Sequence, residues 1–172
     1  MNEPGRGAIR HCPQCGAGSL LWRVPRRDDR ERQCCPSCGY VHYVGPVVAA
    51  GAILCDGPRI CLLRRAHMPG EGLWTFPGGF VDLDEEVSVA ALREVREETG
   101  CEAELTGLVG VYSSVGPRDK RVVIVVYAAR LRADGPVDSP EVKEVRWFAR
   151  DALPWEEFAF PSSVQALRDF LA

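Results

Sequence analysis

The sequence predicts an α/β protein in the layered sense, with strands in a mixed sheet and helices packed on it, preceded by a small cysteine-held module. Three observations carry that reading. Four cysteines form two short repeats before residue 40. Long β-branched apolar runs begin near residue 46, and the segment from about 85 to 99 spaces its apolar residues as a helix does. With 172 residues, 46% hydrophobic and 26% charged, the chain can build one well-buried core plus a small extra unit.

The cysteine repeats come first. CPQCG and CPSCG place Cys12, Cys15, Cys35 and Cys38 as C-x2-C, 19 intervening residues, then C-x2-C. That is the spacing of a tetrahedral four-sulfur Zn²⁺ site built from two knuckles, and its closed ligand set makes the ion structural, not catalytic. Cys34 breaks the knuckle register, His11 and His42 flank it without ligand spacing, and Cys55, Cys61 and Cys101 sit in apolar contexts as small buried hydrophobes. Between the knuckles, RVPRRDDRERQ reads as a solvated hairpin or loop; its arginines could touch phosphate or an RNA backbone, but a charge run is first an exposed face. The composition shift after VHYVGP puts a boundary near residue 45, giving a zinc ribbon over 1–45 and a second domain over 46–172.

In the second domain VVAAGAILC and RICLLRR read as two strands joined by a DGP turn, GLWTF as a short third strand ending at Pro77, and PGG as the opening of a loop. Val87, Ala91 and Val95, with Leu92 beside them, form an apolar helical stripe that Gly100 terminates. ELTGLVGVYSSV, RVVIVVYAARL and EVRWF read as strands, and a last helix spans about 162–171. Trp74, Phe76, Tyr112 and Trp147 could stack on a base, although large strand aromatics belong first to the core.

The helix contains a local contradiction. Glu94, Glu97 and Glu98 occupy its last turns, where the negative end of the helix dipole disfavours carboxylates, and Glu94 and Glu98 repel each other at four-residue spacing. At 100° per residue the three lie on one strip beside the apolar stripe. Divalent cations would compensate, and hard oxygen ligands of this kind suit Mg²⁺ or Mn²⁺, which share their coordination with substrate phosphates. A solvated acidic face is the plainer alternative.

Charge and targeting bound the partners. The formal charge is −3, but residues 1–45 carry seven basic and four acidic side chains, which leaves −6 for the remainder. There is no overall footprint for nucleic acid. No apolar stretch is long enough to span a bilayer and the N-terminus lacks a signal-peptide core, so the expectation is a cytoplasmic protein without a membrane partner.

The segment GFVDLDEEVSVAALREVREETGC resembles the Nudix box, G-x5-E-x7-R-E-U-x-E-E-x-G-U. Gly79, Glu85, Arg93, Glu94, Val95, Glu97, Glu98 and Gly100 match, and Cys101 is a smaller apolar residue at the last U. The resemblance implies an α/β/α sandwich and metal-dependent hydrolysis of a nucleoside diphosphate linked to another moiety. It implies Glu94, Glu97, Glu98 and the Gly79 carbonyl as Mg²⁺ or Mn²⁺ ligands, with Arg93 and Glu85 holding the carboxylates in place. Glu98 or Glu97 could take the proton from water, and Glu141 and Glu144 are candidates on a later segment.

Cysteine knuckles ahead of such a domain are similar to the NADH pyrophosphatase subgroup, but its SQPWPFPxS motif is absent where this chain reads YSSVGPRDK. Pro117 stands close to where ADP-ribose pyrophosphatases tend to carry a proline, although a turn between two strands places one there more readily. FAFPSS is similar to a late segment of zinc-ribbon Nudix proteins described as ADP-ribose or FAD pyrophosphatases, although its simplest job is to start the last helix at Pro161. The alternatives are an NADH or NAD-cap pyrophosphatase acting on RNA, and a nucleotide-sensing regulator without hydrolysis. A homodimer is what the resemblance implies for assembly.

Overall fold

The structure, a computed structural model, describes residues 7–116 and 120–172; Pro117 lies outside them. The chain divides between Gly45 and Pro46 into two units.

In the first unit β1 (Leu21–Arg23), β2 (Arg32–Cys34) and β3 (Val41–His42) form an antiparallel sheet, with Trp22 opposite Gln33 and Gln33 opposite His42. Two equivalent turns flank it. Gly16 N–H donates to the Cys12 carbonyl at 2.8 Å and Gly39 N–H to the Cys35 carbonyl at 3.0 Å. Both glycines have φ near +76°, at 75° and 77°, a left-handed conformation that explains why each knuckle ends in Gly. The charged strip forms the β1–β2 connection.

The second unit is built on a mixed sheet of β4 (Val47–Asp56), β5 (Arg59–Arg65), β6 (Trp74–Thr75), β7 (Gly78–Phe80), β8 (Glu102–Val115), β9 (Arg121–Ala133) and β10 (Val142–Ala149). The path runs β10-β5-β4-β9-β8, with β6 on β5 and β7 on β4; β4 and β9 are parallel and the other pairs antiparallel. Helix α1 spans Val87–Thr99 and α2 spans Pro161–Leu171.

Alternation along β4 places the helices on opposite faces. Ala52 and Leu54 pack with Val95 of α1, whereas Ile53 packs with Val126, Ala166 and Leu167 on the α2 side. The result is an α/β/α sandwich. Trp74 and Phe76 are buried in the α2-side core, and Tyr112 binds Asp169 of α2 at 2.8 Å, so these aromatics serve packing.

One element differs from the sequence reading. PGG does not open a loop: Gly78, Gly79 and Phe80 pair with Gly51, Ala50 and Ala49. Glycines carry no β signal of their own, and the pairing exists because β4 presents only small residues there. A Cβ at Gly78 would stand 2.8 Å from both the Ala50 carbonyl oxygen and the Gly51 Cα. Helix α1 begins at Val87 and ends against Gly100, whose N–H donates to the Arg96 carbonyl.

Candidate active site

Strand β7 and helix α1 bring the box residues together. Glu98 is buried on the face of α1 that meets β7, and its Oε2 accepts the Gly78 N–H at 2.8 Å. Burial pushes its carboxyl up to about 8; the Gly78 N–H and the charge of Arg65 pull the other way, and the negative charges of Glu94 and Glu141 add to the rise. Glu94 is next on the strip. Burial raises its pKa too, against the opposing pull of Arg93. A Cβ at Gly79 would overlap the Glu94 carboxylate, so this strand residue must be Gly for the acid to lie against the backbone. Glu97 lies at the solvent edge, its side chain 53% exposed.

Arg93 ties the strip together. Its Nη2 donates to Glu85 Oε1 at 2.6 Å and its Nε to Glu85 Oε2 at 3.1 Å. Its Nη1 reaches Glu94 at 2.7 Å and Glu97 at 3.1 Å, and Nη2 also donates to the Phe80 carbonyl at 3.0 Å. Glu85 in turn accepts the Asp82 N–H at 2.9 Å. Bonding to Arg93 and to that N–H holds the Glu85 carboxyl down at about 2. Five donors in a rigid fork suit this task, and a Lys could not reproduce it.

The two later acids part company. Glu144, on β10, lies 3.6 Å from Arg64 and is paired with Arg146. Glu141 precedes β10, and its carbonyl accepts the Ala66 N–H at 2.9 Å. Its negative charge reaches both Glu94 and Glu98. Arg65, which sequence reasoning did not single out, acts on Glu98 from β5; its Nε donates to the Pro69 carbonyl at 2.8 Å and its guanidinium stacks 5.2 Å from the Phe160 ring. No local motif marks Arg65, because its nearness to Glu98 comes from tertiary packing.

The donor set fits a divalent cation on its chemistry. Two carboxylates with raised pKa share one strip, and the Glu94 carboxylate lies against the Gly79 backbone; a cation removes the mutual repulsion that burial amplifies. Among the described residues, however, the four cysteines alone bring three or more ligand atoms together closely. Their sulfurs lie within 4.8 Å of one another, with Cys12–Cys38 and Cys15–Cys35 at 3.6 Å. Four bonds of about 2.3 Å in a tetrahedron separate sulfurs by about 3.8 Å, so the cluster fits structural Zn²⁺. The N–H groups of Cys38 and Ser37 lower the Cys35 thiol, whereas desolvation and the neighbouring thiols raise Cys15 and Cys38; a bound cation relieves this mutual repulsion among the four sulfurs.

Comparison with known proteins agrees with this arrangement. Residues 45–170 match the model of the NUDIX domain, and residues 10–44 match that of the Nudix N-terminal zinc ribbon. An ADP-ribose pyrophosphatase from Methanocaldococcus jannaschii is 35% identical over 117 residues, 67% of this chain and 69% of that protein. The NAD-capped RNA hydrolase NUDT12 from Macaca fascicularis is 31% identical over 147 residues, 83% of this chain but only 31% of the relative. A crystal structure of a NUDIX hydrolase from Nitrosomonas europaea superposes with a TM-score of 0.82 at 32% identity, covering 93% of this chain and 89% of that one.

Proposed function

The chain belongs to the Nudix hydrolase family, and on that premise we propose that it hydrolyses the pyrophosphate of ADP-ribose or an FAD-like dinucleotide. The carboxylate strip against Gly78 and Gly79 carries the reading: buried acids whose repulsion calls for a cation, braced by Arg93 for a task other than stability. The Methanocaldococcus relative supports ADP-ribose as the first substrate to try.

In this reading Gly79, Glu94, Glu97 and Glu98 hold Mg²⁺ or Mn²⁺, which supplies neutralisation of phosphate oxygens and acidification of the attacking water. Arg93 and Glu85 fix where the Glu94 and Glu97 carboxylates stand. Gly78 N–H keeps Glu98 aimed at the strand, and its raised proton affinity suits a group that accepts a proton near neutral pH. Glu141, whose field reaches the same acids, is a better partner in that transfer than Glu144, which is occupied by Arg64 and Arg146. The four cysteines hold zinc in the N-terminal ribbon and take no part in chemistry. We assign the protein to the cytoplasm.

A second reading is an NAD-cap hydrolase acting on RNA. One observation favours it: the NUDT12 match, at 83% of this chain, is longer than the NUDIX domain alone. Incubation of the full chain with ADP-ribose, FAD, NADH, NAD and NAD-capped RNA, with and without Mg²⁺ or Mn²⁺, separates the two by mass spectrometry. AMP from ADP-ribose or FAD supports the first reading. Decapping of RNA with ADP-ribose and FAD left intact replaces it with the second.

A further inference from the structure

We propose that the β1–β2 hairpin of the zinc-ribbon unit is a docking surface for single-stranded RNA. On one face of this hairpin Arg23 stands directly opposite Arg32 in the antiparallel register. Like charges in directly opposed positions destabilise a sheet; Asp28, 3.2 Å from Arg32 Nε, answers one of the two, and an external anion would offset the charge left on Arg23. Arg32 lies over the Tyr43 ring, 5.2 Å from its centroid, and Tyr43 is 63% exposed. Leu21, two residues along β1 from Arg23, is exposed on the same face.

The connection adds positive charge next to the hairpin in sequence. Residues 23–32 contain five arginines and three acids. Asp28 is consumed locally, accepting from Arg32 Nε at 3.2 Å and from the N–H groups of Asp29 and Arg30 at 2.8 and 3.2 Å. Arg23, Arg26, Arg27 and Arg30 are exposed, and among the described residues no carboxylate pairs with them. Exposed guanidinium groups without a carboxylate partner suit a flexible phosphate backbone, and an exposed aromatic ring already paired with an arginine offers a base a stacking surface. Exposed rings of this kind select single strands, whose bases are free to splay out, over duplex. An anionic lipid surface would use the arginines but would have no need of the Tyr43–Arg32 stack.

The surface is distinct from the carboxylate strip, so its test does not depend on the hydrolytic reading. Fluorescence anisotropy of a 3′-labelled single-stranded RNA of about 20 nucleotides is measured with the full zinc-loaded chain at salt from about 50 to about 200 mM. Binding is expected to weaken steeply with salt. Arg23→Gln with Arg32→Gln should cost about tenfold in affinity and lower the salt slope by about 1.4. Tyr43→Ala should cost about fivefold or more, and Tyr43→Phe, which keeps the ring, should bind as the parent does.

Zinc content and circular dichroism, read in parallel, establish that each variant is folded. No RNA binding by the parent, or binding unchanged in the arginine pair, overturns the proposal. Equal binding to duplex RNA or to phosphatidylserine vesicles with no effect of Tyr43→Ala overturns it in favour of a plain anionic partner.

Discussion

Arg93 grips Glu85 through two separate nitrogens, Nη2 at 2.6 Å and Nε at 3.1 Å, while its remaining nitrogen holds Glu94. The loop before α1 and the carboxylate strip on it are therefore positioned by one guanidinium. Arg93→Lys keeps a charge but loses the fork, and is expected to lower kcat about 10- to 100-fold with a smaller change in KM. Steady-state kinetics with saturating Mg²⁺ checks this; an unchanged kcat would remove Arg93 from the positioning role.

Neighbouring glycines are expected to fail differently. Gly78→Ala drives a methyl into the Ala50 and Gly51 backbone, which cannot yield cheaply, so loss of several degrees in melting temperature is expected. Gly79→Ala meets first the end of the Glu94 side chain, which can swing away by giving up its bond to Arg93. That variant should fold and melt near the parent but lose most turnover. Thermal melts and activity measured on the same samples separate the two outcomes.

Glu141 and Glu144 give a second contrast. Glu141→Gln removes a charge felt by both Glu94 and Glu98, whereas Glu144→Gln loosens Arg64 and Arg146 on the sheet. The first is expected to depress kcat by about 100-fold or more and the second to leave it within a few-fold. The reverse ranking in kcat would reassign the later acid.

The carboxyl of Glu98, at about 8 against an ordinary 4.5, sets a pH dependence. The folded chain binds this proton more tightly than the unfolded chain. The stabilisation is therefore complete below about 4.5 and is lost as pH rises through about 8. Glu94, also raised by burial, acts in the same direction. Glu85, held at about 2, contributes above its ordinary range and loses its contribution only in acid. Without divalent cation the melting temperature should fall between pH 5 and pH 8.5, Mg²⁺ should restore it most at the alkaline end, and Glu98→Gln should flatten the slope. A parent profile insensitive to both pH and Mg²⁺ would contradict the burial of this acid.

Much of the site was legible because the sequence breaks local rules there. Three acids at the wrong end of a helix stand out against the dipole and against i,i+4 repulsion, and the paired knuckles stand out by spacing alone. Strands β4, β5 and β9 carry apolar runs, most β-branched in β9, bounded by turn residues. Gly78–Phe80 was not legible as a strand, since its pairing rests on the small residues of β4 and not on its own composition. Arg65 and the separation of Glu141 from Glu144 were invisible for a related reason: the first depends on how β5 and α1 come together in the fold, the second on which residues face one another across β5 and β10. The aromatics Trp74 and Phe76 were readable as core or as base platform, and only their burial decides for core.

The central claim is that the buried acid at the Gly78 N–H belongs to a metal-dependent hydrolytic centre. The direct measurement is AMP release from ADP-ribose across a Mg²⁺ and Mn²⁺ titration, for the parent and for Glu98→Gln, with circular dichroism confirming that both are folded. The expected result is release by the parent that rises from nothing with added metal, and a loss of about 1,000-fold or more in the variant. Metal-independent release, or equal release by a folded Glu98→Gln, would contradict the account.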